Sequence, residues 1–261
     1  MYSLRLSPAG FPMAPSQNEW DVLSDAERAE VVASLPNEVT YEEIAMPEGD
    51  RHFRAKTRAL GALRSYFTRQ RRRVYLAAEL PVYYPGSARF APDLLAVLDV
   101  EDKERDKWIV SAEGKGLDFV LEVHVGGDRK KDAERNVTRY AQHGIPEYFL
   151  YDRSKNQLLG YRLEAPQATS YTRILPQAGL YESQVLGLEI QVERERLRFY
   201  AGTAMLLESE ELIGRLEEMV EEAQRRAEEE THRREEETRR REKAEEEVTR
   251  LRAELEDQRK R

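Results

Sequence analysis

The apolar positions of the chain change their spacing twice, and each change predicts a different kind of structure. In the first part, a helix is expected over about residues 50–70, with an apolar side formed by Phe53, Leu60, Leu63 and Phe67. From Val74 onward, short runs of Val, Leu, Tyr and Phe alternate with Pro and Gly, which is typical of strands. The last part returns to helical spacing among many charged residues.

One helix interrupts the predicted strands. It is expected from about Asp128 to His143, because Gly144 stands in the position of a C-cap and Pro146 follows it. Strand-like runs resume at EYFLYD and LLGYRL and continue to about residue 200. This order of elements predicts an α+β or α/β domain, with a mixed β-sheet flanked by helices.

The last part has the pattern of a long, coiled-coil-like C-terminal helix. Its apolar residues follow one 3–4 spacing: Ile213, Leu216, Val220, Ala223, Ala227, Ala244, Val248, Leu251 and Leu255. Between Ala227 and Ala244 the same positions hold Glu and Arg, which can pair along one helix but offer no apolar side chain to a partner. We expect residues 206–261 to form a charged helix that joins two copies in a parallel homodimer.

Charge and composition restrict the function further. Residues 206–261 carry 20 acidic and 14 basic side chains, so this segment has a net charge of −6 and the remainder −2. A near-neutral body neither favours nor excludes nucleic acid as a partner. The absence of cysteine excludes disulfides, thiolate zinc sites and thiol nucleophiles. We find no signal peptide and no membrane-spanning run, so we expect a cytoplasmic protein that does not associate with a membrane.

The N-terminal part is expected to have little tertiary structure. Residues 1–20 are rich in Pro, Ser and Gly and predict a flexible leader. Residues 21–37 predict a short helical segment, because Ser24 and Glu27 have the spacing of a capping box, and the run TYEEIAMP repeats that spacing. The main domain is expected to occupy residues 38–200.

One carboxylate interrupts a run that otherwise predicts a buried strand. In FVLEVHV, Glu122 shares a face with His124, and burial of its charge requires a cation, a donor network or a shifted pKa. Asp93 follows Pro92 at the start of DLLAVLDV, a strand that we expect to pair with the Glu122 strand. Two carboxylates that meet across neighbouring strands can hold Mg²⁺ or Mn²⁺, with water and a substrate phosphate as further ligands.

Two groups of residues are candidates for binding phosphate. Gly126 and Gly127 allow the backbone to approach a ligand, and Lys130 and Lys131 lie on the first turn of the next helix, where a phosphate would offset their unfavourable placement in the helix dipole. A second basic group ends the long helix: Arg69, Arg71, Arg72 and Arg73. These arginines could follow a nucleic-acid backbone, but a solvated helix face is the more common reason for such a run.

Three runs together resemble one known family: RFAPDLLAVLDV, FVLEV and DRKKDAERNVTRYAQHGIPEYFLYD. They are similar to the Uma-type putative restriction endonucleases, members of the PD-(D/E)XK nuclease superfamily, over about residues 38–200. The resemblance implies a restriction-endonuclease-like fold and cleavage of DNA with a divalent metal ion. It also implies that the ion is bound by Asp93, Glu122 and the backbone carbonyl of Val123.

The chain departs from the superfamily pattern at the lysine. The superfamily has a lysine two residues after the strand acid, where this chain has His124, and in the Uma-type group the lysine moves to the next helix, which makes Lys131 the candidate. His124 is either a further proton acceptor or a strand histidine hydrogen-bonded to a neighbour. A literal Glu-x-Lys occurs at Glu113 and Lys115, but EGKG predicts a turn, which holds a metal ligand less firmly than a strand.

The sequence therefore leaves two functions open. The first is a Mg²⁺-dependent endonuclease that hydrolyses phosphodiester bonds of DNA, with Asp93, Glu122, Lys131 and His124 in the site and the tail as its dimerisation helix. The second is a catalytically inactive, nuclease-like adaptor that acts through its coiled coil, since a fold alone does not establish a function.

Overall fold

The computed structural model describes residues 4–38, 49–125 and 130–259, without the side chains of residues 130–133 and 255–259. The chain divides into two compact units, Met1–Ser209 and Glu210–Arg261. The helix predicted for TYEEIAMP lies outside the described residues.

The described part of the first unit contains five helices and fourteen strands. The helices are α1 (Gln17–Asp21), α2 (Asp25–Ser34), α3 (Gly49–Arg69), α4 (Val110–Glu113) and α5 (Lys130–Gln142). The strands are β1 (Arg5–Leu6), β2 (Pro12–Met13), β3 (Val74–Ala77), β4 (Val82–Tyr83), β5 (Leu94–Leu98), β6 (Trp108–Ile109), β7 (Phe119–His124), β8 (Glu147–Asp152), β9 (Gln157–Arg162), β10 (Thr172–Ile174), β11 (Tyr181–Ser183), β12 (Leu188–Glu193), β13 (Arg196–Ala201) and β14 (Ala204–Met205).

A six-stranded mixed sheet, in the order β10–β9–β8–β7–β5–β3, forms the centre of this unit. Strands β7 and β8 are parallel, and α5 provides the crossover connection that a parallel pair requires. The other neighbours in the sheet are antiparallel. The predicted mixed sheet flanked by helices is therefore confirmed.

Alternation along the strands divides their side chains between two apolar cores. Leu94 and Leu121 belong to a core that also contains Leu63 of α3 and apolar side chains of a second, antiparallel sheet, β11–β12–β13–β14. Leu95 and Val120 point the other way, into a core that contains Tyr140 of α5. The central sheet thus has α3 on one face and α5 on the other.

Helix α3 buries Leu63 and Phe67, as expected, but not Phe53. Its buried stripe runs through His52, Lys56, Ala59, Leu63 and Phe67, whereas Phe53 is 59% exposed. This stripe keeps the 3–4 spacing of a buried helix face, but its first two positions are polar. The spacing of apolar residues alone therefore predicts burial of Phe53, whereas the structure buries His52.

Residues 4–20 form ordered structure, in contrast to the flexible leader expected over residues 1–20. Strands β1 and β2 pair, and α1 begins with a capping box formed by Ser16 and Glu19. Ala14 and Trp20 are buried in a small core. The composition of this segment is typical of a loop, but the capping box and the burial of Trp20 both favour the short helix α1. The capping box predicted at the start of α2 is present.

The second unit consists of the helix α6 (Ser209–Arg259), which is 51 residues long. Its described side chains are exposed from Arg215 to Glu254, and pairs at i,i+4 such as Glu230–Arg234, at 2.5 Å, lie along it. The predicted long helix is present, while the coiled coil and the homodimer remain predictions. Among the described helices, none has a stretch apolar and long enough to cross a membrane.

Candidate active site

The structure brings Asp93 and Glu122 together across two neighbouring strands. Leu94 of β5 pairs with Leu121 of β7 in antiparallel register, so the next residues outward are Asp93 and Glu122. The backbone N–H of Asp93 donates a hydrogen bond to Glu122 Oε2 at 3.3 Å, and the backbone N–H of Val123 donates to Asp93 Oδ2 at 2.7 Å. Each strand thus holds the carboxylate of the other.

Glu122 is held in addition by Tyr140 of α5, whose hydroxyl donates a hydrogen bond to Glu122 Oε1 at 2.5 Å. Burial, and next the charge of Asp93, raise the pKa of Glu122 well above the usual range of a carboxyl group, while the bond from Tyr140 acts in the opposite direction. Burial and the charge of Glu122 also raise the pKa of Tyr140, so its hydroxyl stays protonated and remains a donor.

Asp93 has a second neighbour on the side of α3. His52 Nε2 lies 2.9 Å from Asp93 Oδ1, and both residues are buried. Glu79 follows β3 and approaches the same point, because its backbone N–H donates a hydrogen bond to the carbonyl of Pro92 at 3.0 Å. Ligand atoms of His52, Glu79 and Asp93 all lie within 4.8 Å of one another. The carboxylate of Glu79 accepts a hydrogen bond from Lys56 of α3.

His52, Lys56 and Glu79 were not identified from the sequence. A signal was present for the first two, because they continue the buried stripe of α3 by whole helical turns, and buried polar residues at such positions need partners. Glu79 gave no comparable signal. It is one of the non-glycine residues with a positive φ, 54°, a strained backbone conformation that cannot be inferred from the residue type.

The remaining predicted site residues divide into those that the structure describes and those that it does not. His124 ends β7 half-buried, on the same face as Glu122, and its backbone carbonyl accepts from the N–H of Arg153 at 2.7 Å. Val123 lies between them on the strand, where its carbonyl remains a predicted ligand. Four residues are predictions that the structure does not describe, either at all or in their side chains: Gly126, Gly127, Lys130 and Lys131.

The arginine group lies at the far end of α3 from His52. The guanidinium of Arg72 forms hydrogen bonds within the fold, donating to the carbonyls of Leu186 at 3.0 Å and Val185 at 3.2 Å. Arg69, Arg71 and Arg73 are exposed. A cavity of about 190 Å³ beside Phe67 is lined in part by Arg71 and Arg73. These arginines are therefore separate from the carboxylates of Asp93 and Glu122.

The literal Glu-x-Lys does not form a joint site. Gly114 ends α4 in the left-handed conformation, with φ at 70°, and turns the chain between the two residues. Glu113 pairs with Arg105 at 2.8 Å, while Lys115 Nζ lies 3.0 Å from Asp118 and donates to the carbonyl of Leu98. Both side chains have structural partners of their own, in agreement with the interpretation of EGKG as a turn.

Comparisons with known proteins found one matching family and a similar solved structure. The sequence model of the family described as "Uma2, putative restriction endonuclease" matches residues 29–193, more than half of the chain. A solved structure of a putative nuclease belonging to DUF820, from Anabaena variabilis ATCC 29413, is 16% identical, covers 57% of this chain and 82% of its own, and has a TM-score of 0.45. No match was found among curated proteins. The chain belongs to the Uma2 family of putative restriction endonucleases.

Proposed function

We propose that the protein is a metal-dependent endonuclease that hydrolyses phosphodiester bonds of DNA. The observation that supports this function most directly is the pair formed by Asp93 and Glu122, in which each carboxylate accepts a hydrogen bond from the backbone of the opposite strand. Membership of a restriction endonuclease family supports DNA as the substrate class.

The donor atoms of this pair fit a hard divalent cation. Carboxylate oxygens are the preferred protein ligands of Mg²⁺, and each oxygen that accepts one hydrogen bond has a further lone pair available. Two neighbouring carboxylates, one of them buried, also repel each other, as the raised pKa of Glu122 indicates. A bound cation would remove that repulsion. We propose Mg²⁺ as the ion, with Mn²⁺ as an effective substitute, and the carbonyl of Val123 as a further ligand.

The proposed mechanism is metal-assisted hydrolysis. An ion held by Asp93 and Glu122 would supply Lewis-acid chemistry, that is, a lower pKa of water and neutralisation of charge on the phosphate. The protein contributes the fixed geometry: the Val123 N–H and the Tyr140 hydroxyl orient the two carboxylates. We propose that Lys131 orients the attacking water and that His124 accepts a proton.

Substrate binding is assigned to two further regions. Gly126, Gly127 and Lys130 are proposed to bind the phosphate next to the scissile bond, since they lead from the strand of Glu122 into α5. At the C-terminal end of α3, far from His52, the side chains of Arg69, Arg71 and Arg73 can interact with the phosphate backbone of a long DNA duplex through charge alone. Arg72 is also exposed and keeps its charge, and its bonds to the carbonyls of Leu186 and Val185 fix its position in this group.

Plasmid nicking in the presence of Mg²⁺ or Mn²⁺ tests this function. We expect Asp93→Asn and Glu122→Gln each to lower the rate of cleavage by at least about 100-fold, because either change removes charge from the proposed metal site. Glu164→Gln serves as the matched control, since Glu164 is an exposed carboxylate after β9. Cleavage that persists in both site variants, or a wild-type protein that does not cleave, would argue against an endonuclease.

The second candidate function is that of an inactive adaptor, and α6 is the observation that favours it. Ile213, Leu216, Val220, Val248 and Leu251 are exposed on this helix. We propose that they form the two apolar parts of a homodimer seam. Sedimentation should show a dimer for the wild type and a monomer for a Val220→Glu/Leu251→Glu variant. A dimer that binds no divalent ion and does not nick DNA would favour the adaptor.

A further inference from the structure

Lys56 is a buried lysine beside the proposed metal site. It lies on the inner stripe of α3, one turn after His52, and is only 6% exposed. Its ammonium group pairs with the carboxylate of Glu79. A buried lysine requires a partner, and here the partner is an acid whose ligand atom lies within 4.8 Å of those of His52 and Asp93.

Glu79 is held at this point by the backbone as well as by Lys56. Its N–H donates to the carbonyl of Pro92, the residue before Asp93, at 3.0 Å. Its side chain is 42% exposed, so one side of the carboxylate faces solvent. The group His52, Glu79 and Asp93 thus has the nitrogen and oxygen donors and the short spacing that a second cation next to Glu122 would need.

A cation is already present at this position. The ammonium of Lys56 lies directly on the Glu79 carboxylate, and a divalent ion bound by the same carboxylate would be strongly repelled by it at this distance. Lys56 is therefore a buried cation near Asp93 to which the proposed mechanism assigns no role.

We propose that the ammonium group of Lys56 takes the place of a second divalent cation beside Asp93, so that the site operates with one metal ion and one fixed lysine cation. This inference rests on the proposed function, which assigns the single ion to Asp93 and Glu122. Lys56 is a positioning residue: it acts through Glu79, because its burial keeps it from direct contact with a substrate. It neutralises Glu79 and keeps that carboxylate from serving as a metal ligand.

Titration of the full chain with Mn²⁺ alone, followed by calorimetry and electron paramagnetic resonance, tests this inference. We expect the wild type and Lys56→Arg to bind one Mn²⁺ per chain, with the spectrum of an isolated ion. Lys56→Met should bind two ions per chain, with a spectrum in which neighbouring ions are coupled. Lys56→Met/Glu79→Gln should bind one ion again, because the ligand that Lys56 had neutralised is gone.

Glu79→Gln with Lys56 intact provides a second measurement if the methionine variant does not fold. The ammonium of Lys56 would then lack its carboxylate, and we expect Mn²⁺ to bind about tenfold more weakly because an uncompensated charge lies a few ångströms away. Unchanged Mn²⁺ affinity in Glu79→Gln would overturn the inference.

The outcomes separate this inference from the proposed function. A wild type that binds no Mn²⁺, or Mn²⁺ binding that survives in Glu122→Gln, overturns the proposed metal site and the role of Lys56 with it. One Mn²⁺ per chain in the wild type, lost in Glu122→Gln but unchanged in a folded Lys56→Met variant, overturns the role of Lys56 alone.

Discussion

Two glutamates on neighbouring strands, Glu147 and Glu122, differ in what surrounds them. Glu147 begins β8 and is fully buried, at 0% exposed. Arg162 Nε lies 2.8 Å from its carboxylate, the Ser183 hydroxyl donates to it at 2.5 Å, and the backbone N–H of Gln184 donates at 2.9 Å. Its charge is thus compensated by a cation and by donors from two other positions, all supplied by the fold.

Glu122, on the adjacent strand β7, has donors but no cation of this kind. Tyr140 and the N–H of Asp93 donate to it, and the nearest charge is the acid Asp93. Among the side chains that the structure describes, which do not include those of Lys130 and Lys131, no lysine or arginine forms a salt bridge with Glu122. A buried acid that is paired with a cation of the fold has a structural role, whereas an acid placed beside another acid is a candidate ligand for a cation from outside.

The largest expected effect is the difference in the free energy of unfolding between variants that neutralise Glu147 and Glu122. Glu147→Gln removes one partner of a buried ion pair and leaves Arg162 without its counter-charge, so we expect the free energy of unfolding to fall by about 3 kcal/mol. Glu122→Gln removes a repulsion between acids, so stability should be unchanged or higher. Urea denaturation of both variants without divalent ions measures the difference. Equal losses in the two variants would contradict the distinction between a structural acid and a site acid.

Stabilisation of the fold by a divalent ion should depend on Glu122 and not on Glu147. We expect Mn²⁺ at 100 times its dissociation constant to stabilise the wild type by about 2.7 kcal/mol, because the ion binds only the folded chain. Glu122→Gln should lose this increment, whereas Glu147→Gln should keep it on a lower baseline. Thermal unfolding with and without Mn²⁺ measures both. Stabilisation that depends on Glu147 but not on Glu122 would place the ion elsewhere.

Much of the fold was predictable from local patterns. The order of helices and strands, the mixed sheet and the long terminal helix follow from periodicity, because each element shows its own spacing of apolar residues. The N-terminal segment was not, since Trp20 and Ala14 are ordered by contacts with a core that includes Tyr83, a residue distant in sequence. The composition of a segment indicates its local conformational preference, but it does not indicate whether the segment is buried against residues distant in sequence.

Only the site residues that lie on two paired strands were predictable from the sequence. Asp93 and Glu122 were identified because each interrupts or opens an apolar strand, and pairing of those strands places them side by side. His52, Lys56 and Glu79 were missed because they come from a helix and a strained turn that meet Asp93 only in three dimensions. The spacing of Tyr140 from Val137 and Ala133 on the helix predicts a place in the core and nothing more, and Tyr140 does pack against Tyr148, with ring centroids 5.0 Å apart.

The smallest expected effect is the difference between removing the hydroxyl of Tyr140 and removing that of Tyr148. Tyr140→Phe removes the hydroxyl that donates to Glu122, so we expect a loss of about 1 kcal/mol of stability and weaker binding of Mn²⁺. Tyr148→Phe is the matched control, because the buried Tyr148 hydroxyl has no hydrogen-bond partner among the described residues, and its removal should be neutral or stabilising. Urea denaturation and Mn²⁺ titration of both variants measure the two effects. If Tyr140→Phe binds Mn²⁺ as tightly as Tyr148→Phe does, then Tyr140 only packs the core, and Glu122 is oriented by β5 and β7 alone.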